Sequence, residues 1–169
     1  MKKFIITIMF VAIFATSAIS QKADDRADAL AVVNKLFAEM AAANPPGILA
    51  LGTAENQLVA LFKQKDGKSR IQVIPGDAFS KMFTDKSKVN EEVMYAPNVE
   101  VSGDWAMVWG RYVFFAGGKL SHCGINQFNL VRTDSGWKIA NGASVIDPGA
   151  CTNAEKAMKP TIKAAAQQD

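Results

Sequence analysis

Three long apolar runs near the C-terminal end constrain this chain more than any other feature. Trp105 to Phe115, Leu120 to Arg132 and Trp137 to Val145 are rich in aromatic and β-branched residues, which suit a pleated, half-buried surface. The linkers between them are short turn sequences, around Gly117-Gly118-Lys119 and Asp134-Ser135-Gly136. Linkers of that length join strands only as antiparallel neighbours. The chain must therefore build a twisted antiparallel sheet and find something to cover it.

The N-terminal half supplies the cover. Asp24 to about Ala43 reads as an amphipathic helix with Leu30, Val33, Phe37 and Met40 on one face. Asp24, Asp25 and Asp28 enrich its first turns in negative charge, and Asn44-Pro45-Pro46-Gly47 ends it. A short helical or irregular piece follows at Ile48 to Leu51. Leu58 to Phe62 and Arg70 to Ile74 read as strands joined at Asp66-Gly67. Pro75 is placed to open a helix over Gly76 to Phe83. Val89 to Tyr95 alternates, a strand is expected near Val99 and Val101, and Gly103-Asp104 turns the chain into Trp105. Helices first, then antiparallel strands, predicts an α+β class: a curved antiparallel sheet folded over N-terminal helices. The segment from 152 to 169 is polar and Ala/Lys-rich and reads as a loosely ordered tail, with a loose helix over Ala154 to Met158.

The first twenty residues read differently from the rest. Lys2 and Lys3 precede an apolar run from Phe4 to Phe14, and Ala18 and Ser20 fit the small-x-small rule for cleavage between Ser20 and Gln21. This is a Sec-type signal peptide, and the expected location is periplasmic or secreted. No second apolar stretch approaches bilayer length, so no membrane association is expected after cleavage. The formal charge of +3 counts Lys2 and Lys3; without them it is +1, which gives no electrostatic footprint for nucleic acid.

The pattern Pro97-x-Val99-x-Val101-x-Gly103-Asp104-Trp105-Ala106 leads into Val108-Trp109-x-x-Tyr112-x-Phe114. Gly118-Lys119-Leu120-Ser121-His122-Cys123-Gly124 follows, then Phe128-x-Leu130-Val131-Arg132 and Gly136-Trp137-Lys138-Ile139. In this order and spacing the chain resembles the nuclear transport factor two-like superfamily, in its SnoaL-like bacterial branch. The resemblance covers roughly Asp24 to Cys151 and is densest from Gly103 to Ile139. It implies a cone-shaped α+β barrel spanning residues 21–151, a pocket open at one end, and a homodimer packed through the outer sheet face. It implies no particular reaction, because one fold hosts many chemistries.

His122 is the one histidine of the chain. Alternation puts it on one face with Gly124, Asn126, Phe128 and Leu130. If that face is the inner one, His122 and Asn126 meet an apolar cup, the usual construction of a small-molecule site. His122 is then a candidate general acid or base; the other reading is a histidine that braces the barrel through hydrogen bonds. On the preceding strand, Ala106, Val108, Gly110, Tyr112 and Phe114 share a face, which makes Tyr112 a third polar anchor. Trp105, Met107, Trp109, Arg111, Val113 and Phe115 share the other. Arg111 would meet an anionic ligand only if the parity were reversed. Glu91, Glu92 and Asp77 are carboxylates within ordered segments and match no recognised catalytic placement. One histidine and two distant cysteines make no metal cluster, and no phosphate loop or nucleophile elbow occurs, so no metal or cofactor is expected. The expected ligand, bound at His122, Asn126 and Tyr112, is a small apolar or aromatic molecule. A non-catalytic dimerisation module and an isomerase, dehydratase or hydrolase using His122 are the competing readings.

Cys123 and Cys151 are the two cysteines of the chain, both within the exported part. An oxidising compartment favours their pairing. If His122 faces inward, Cys123 faces outward, where the chain leaving the last strand brings Cys151. By loop-closure entropy such a bridge is worth about 3–4 kcal/mol.

Overall fold

A computed structural model describes the backbone of residues 11–64 and 66–162, and the side chains from Asp24 onward within that range. The part of the expected signal peptide before Val11 lies outside the described residues. The elements in chain order are α1 (Val11–Ala41), α2 (Pro45–Ala50), β1 (Gln57–Lys63), β2 (Ser69–Pro75), α3 (Gly76–Lys81), β3 (Asn90–Met94), β4 (Asn98–Ser102), β5 (Trp105–Ala116), β6 (Lys119–Thr133), β7 (Gly136–Asp147) and α4 (Asn153–Ala157). Helix α1 starts well before Asp24 and is continuous through Ser20 and Gln21. It ends where Ala43 takes a left-handed φ of 50° and Asn44 donates its backbone N–H to Glu39. No helix among the described residues is long and apolar enough to cross a membrane.

The strands form one curved sheet in the order β2-β1-β7-β6-β5-β3, with β4 also paired to β5. Register shifts at Phe114/Phe115 and at Asn129/Leu130 bend the two longest strands. The sheet stays open between β2 and β3. Helix α1 crosses that side against β3, β4 and β5, and α3 packs on β1 and β2. This is an α+β cone of the expected kind, with one departure. β1 pairs with β7 in parallel, Leu58 opposite Gly142 and Phe62 opposite Ile146. A parallel pair needs a long crossover, and here that crossover is most of the chain. Turn chemistry, which reads only local hairpins, contains no sign of it.

The core lies between α1 and the inner sheet face. Val33, Phe37 and Met40 are buried there with Ala29 and Leu36, against Ala106, Val108, Phe128 and Leu130. A second cluster occupies the outer face of β5 and β6. It consists of Val113, Phe115 and the disulfide between Cys123 and Cys151, covered by Tyr95 and Met158. The C-terminal segment is therefore not loosely ordered through Ile162. Thr152 and Glu155 form a capping box that starts α4. Glu155, 1% exposed, accepts from Arg111 Nε at 2.7 Å and Nη2 at 2.9 Å and is also bonded to the Tyr95 hydroxyl. Glu91 accepts the backbone N–H groups of Thr161 and Ile162 and the Thr161 hydroxyl. The polar composition of the segment hid this, because its anchors are charge and sulfur rather than an apolar stripe.

The Arg111 guanidinium holds the Glu155 carboxyl down at about 2, below the ordinary 4.5. A lowered folded value means the pair stabilises the fold above pH 4.5 and loses that contribution as pH falls toward 2. Glu155→Gln should cost about 2 kcal/mol at pH 7, less than a fully buried pair because Arg111 keeps contact with water. Removing the disulfide by Cys123→Ala with Cys151→Ala should cost about 3 kcal/mol. Urea unfolding of the single and combined variants should give a combined loss smaller than the sum, since both devices hold one segment.

Candidate functional site

The inner face of the sheet and the helices enclose a cavity of about 420 Å³. Its polar side chains come from four strands, brought together by register. Phe114 lies opposite both His122 and Glu92, Gly124 opposite Tyr112, and Asn126 opposite both Gly110 and Ser144. Strand alternation then sends Glu92, Tyr112, His122, Asn126 and Ser144 to the same side. All five line the cavity, with Asn90 among the half-buried residues. The walls are Leu36, Phe37 and Met40 from α1, Leu58, Ala60 and Phe62 from β1, and Phe79 with Phe83 on and just after α3. Among the described residues no Lys or Arg lines it; the Arg70 guanidinium stacks on the ring of Phe62 at 4.5 Å.

Two glycines make this arrangement possible. A side chain at Gly124 would collide with the Val145 carbonyl and stand 2.8 Å from the Tyr112 ring. Its absence lets the Tyr112 ring lie across β6 and reach Ser144 Oγ and the Val145 carbonyl, each at 3.3 Å. Gly110, opposite Asn126, leaves its space to Met94, 3.4 Å from where a Cβ would be. His122 stacks on Phe114 with ring centroids 4.8 Å apart and meets Tyr112 edge-on at 5.7 Å. Its Nδ1 bonds the Ser121 hydroxyl at 3.1 Å.

Glu92 is a carboxylate to which the sequence assigns no role. Its carboxylate keeps some surface open to the cavity yet is surrounded by protein, and Asn126 Nδ2 donates to it. Burial pushes its pKa up to about 8, against the opposing pull of the Asn126 hydrogen bond. Its neighbour Glu91 points to the other face. Burial there would raise the pKa, but the hydrogen bonds from Thr161 and Ile162 prevail and lower it. Two consecutive glutamates in one strand place one carboxylate on each face, and that was the available signal. The odd-numbered alternation Val89, Glu91, Val93, Tyr95 drew attention to the wrong parity.

The remaining polar groups of the cavity are also neutral near pH 7. Burial lowers the pKa of His122 and raises that of Tyr112, the latter assisted by nearby Glu92 and opposed by Ser144. The structure thus brings His122, Asn126 and Tyr112 together and adds Glu92 and Ser144. Among the described residues no carboxylate or phenol is hydrogen-bonded to His122, so an acid-base dyad centred on it is not formed. Arg111 faces outward to Glu155, and Asp77 lies on the surface with Lys81 at 3.1 Å. No group of His, Cys, Asp and Glu among the described residues is arranged to hold a metal.

No family model and no curated protein matches this chain. Solved structures do. An NTF2-like protein with a cystatin-like fold from Novosphingobium aromaticivorans is 13% identical, with 84% of this chain and 93% of that one covered at a TM-score of 0.63. An NTF2-like protein of unknown function from Silicibacter pomeroyi is 18% identical, with coverages of 73% and 97% and a TM-score of 0.56. A candidate dehydratase of the same family from Streptomyces avermitilis is 13% identical, with coverages of 73% and 96% and a TM-score of 0.54. At these identities the likeness is one of fold.

The raised value at Glu92 fixes a sign for stability. An acid whose folded pKa lies above its unfolded one stabilises fully below about 4.5, and that contribution fades as pH rises through about 8. Wild type should therefore lose stability relative to Glu92→Gln between these pH values, on the order of 3 kcal/mol. Chemical unfolding of both proteins across that range checks it; parallel curves would mean that Glu92 ionises freely.

Proposed function

Given the NTF2-like fold of this chain, we propose that the protein binds a small, uncharged, mostly apolar molecule carrying a carbonyl or hydroxyl group. The carrying observation is the electroneutral polar set in an apolar cavity. A protonated Glu92 donates one hydrogen bond, the Asn126 amide offers another donor and the Tyr112 oxygen an acceptor, and among the described residues no cation lines the space to receive an anion. His122 and Phe114 supply a stacked aromatic wall for a flat ligand. The leader and the Cys123–Cys151 bridge support a periplasmic or secreted place of work.

A second reading rests on one observation. A carboxyl group with a pKa of about 8 is poised for proton transfer near neutral pH. In an isomerase, dehydratase or hydrolase the acid-base group would then be Glu92 rather than His122. Two of the solved structures of the same fold are named for a candidate dehydratase and a candidate aromatic ring hydroxylase.

The outer sheet face supports a homodimer. Val73, Val59, Ala143, Gln127 and Trp109 form one cross-strand row, and Ile71, Leu61, Val145 and Ile125 form the next. Ile71 is 69% and Val73 54% exposed, an apolar stripe that a second copy would cover.

Titration with a neutral aryl ketone such as acetonaphthone and with its carboxylate counterpart, naphthoate, tests the binding reading. Acetonaphthone should bind and naphthoate should not. Glu92→Ala and Asn126→Ala should each weaken the ketone by about tenfold, the worth of a buried hydrogen bond. Equal binding of naphthoate, or unchanged affinity in both variants, would refute this site.

A further inference from the structure

Three spaces in this molecule share walls in series. Leu36, Leu58, Phe79 and Phe128 line both the main cavity and a small space of about 40 Å³ toward its narrow end. Gly52, Asn56, Gln57 and Gly76 line both that small space and an open groove beyond it. The small space exceeds the ~10–15 Å³ that one water needs, and its walls beyond the shared residues include Ile48, Ile139 and Gly142. The polar groups of the main cavity belong to the rows of His122, Tyr112 and Asn126, whereas the small space begins at the row of Phe128.

The wall shared with the outer groove carries the side chains of Asn56 and Gln57. Asn56 sits between two glycines: a Cβ would come within 2.4 Å of it at Gly52 and 2.0 Å at Gly76. Its own amide is held by the Thr53 carbonyl at 2.5 Å. One rotatable amide, in a slot that the two glycines leave open, therefore stands in the wall between the small space and the outer groove.

We propose that the cavity continues through this neck, so that the ligand is an elongated molecule with a neutral polar head at Glu92 and Asn126 and an unbranched apolar chain directed past Phe128 toward Asn56. This rests on the binding reading above and narrows it from small apolar molecules to chain-bearing ones. Asn56 is the stopper that sets the longest chain retained.

A ladder of straight-chain methyl ketones of increasing length, measured by calorimetry, tests it. In wild type each added methylene should tighten binding by about fourfold until the chain meets Asn56. Gly142→Val fills the neck, since a Cβ there already stands 3.2 Å from Leu58 and 3.3 Å from Phe128. It should leave the shortest ketones unaffected and end the gain at a shorter chain. Asn56→Ala should extend the gain to longer chains, and it decides the matter if Gly142→Val does not fold. The same end-point in all three proteins would overturn the neck while leaving the cavity reading intact. No binding by any ketone would overturn both.

Discussion

The antiparallel register of β5 against β6 is the constraint on which the rest of the structure depends. Phe114 opposite His122 and Tyr112 opposite Gly124 send the polar set of the cavity inward. The same register sends Val113 and Cys123 outward, where Cys151 closes the disulfide. A slip by one residue would exchange the faces, turning Arg111 into the cavity and Tyr112 onto the surface. Gly124 belongs to this constraint, because only without a Cβ can the Tyr112 ring cross β6 to Ser144.

Two glutamates, Glu155 buried and Glu92 half-buried, use a carboxyl group in opposite ways. Glu155 sits under the bidentate Arg111 and the backbone N–H of Thr152, so its charge is matched and its pKa is lowered. Glu92 meets one neutral amide in an apolar space, so its charge is disfavoured. The first fastens the C-terminal segment to the sheet. The second lines the cavity with its carboxyl group held toward the neutral form.

Much of this was legible in the sequence, for reasons that can be named. The long strands and their turns follow from local chemistry, and the two-residue period puts His122 on one face with Asn126; which face is the inner one is set by the packing of α1 against the sheet. Cys123 and Cys151, the one pair of cysteines in the chain, join on the outer face. The parallel contact of β1 with β7 did not show, because it joins residues far apart in the chain and leaves no local mark. Glu92 did not show because a carboxylate on an inner face contradicts the hydrophobic pattern used to find that face. The anchoring of the tail at Glu155 and Glu91 was hidden because an ion pair and hydrogen bonds between residues far apart in the chain leave no period.

The neutral state of Glu92 is the point on which the ligand chemistry turns, and carboxyl-carbon nuclear magnetic resonance reads it directly. In protein labelled at glutamate side chains, with Glu92→Gln used to assign the resonance, the Glu92 carboxyl should titrate with a midpoint near 8. A midpoint near the ordinary 4.5 would mean an ionised cavity at neutral pH and would contradict a site built for an uncharged ligand.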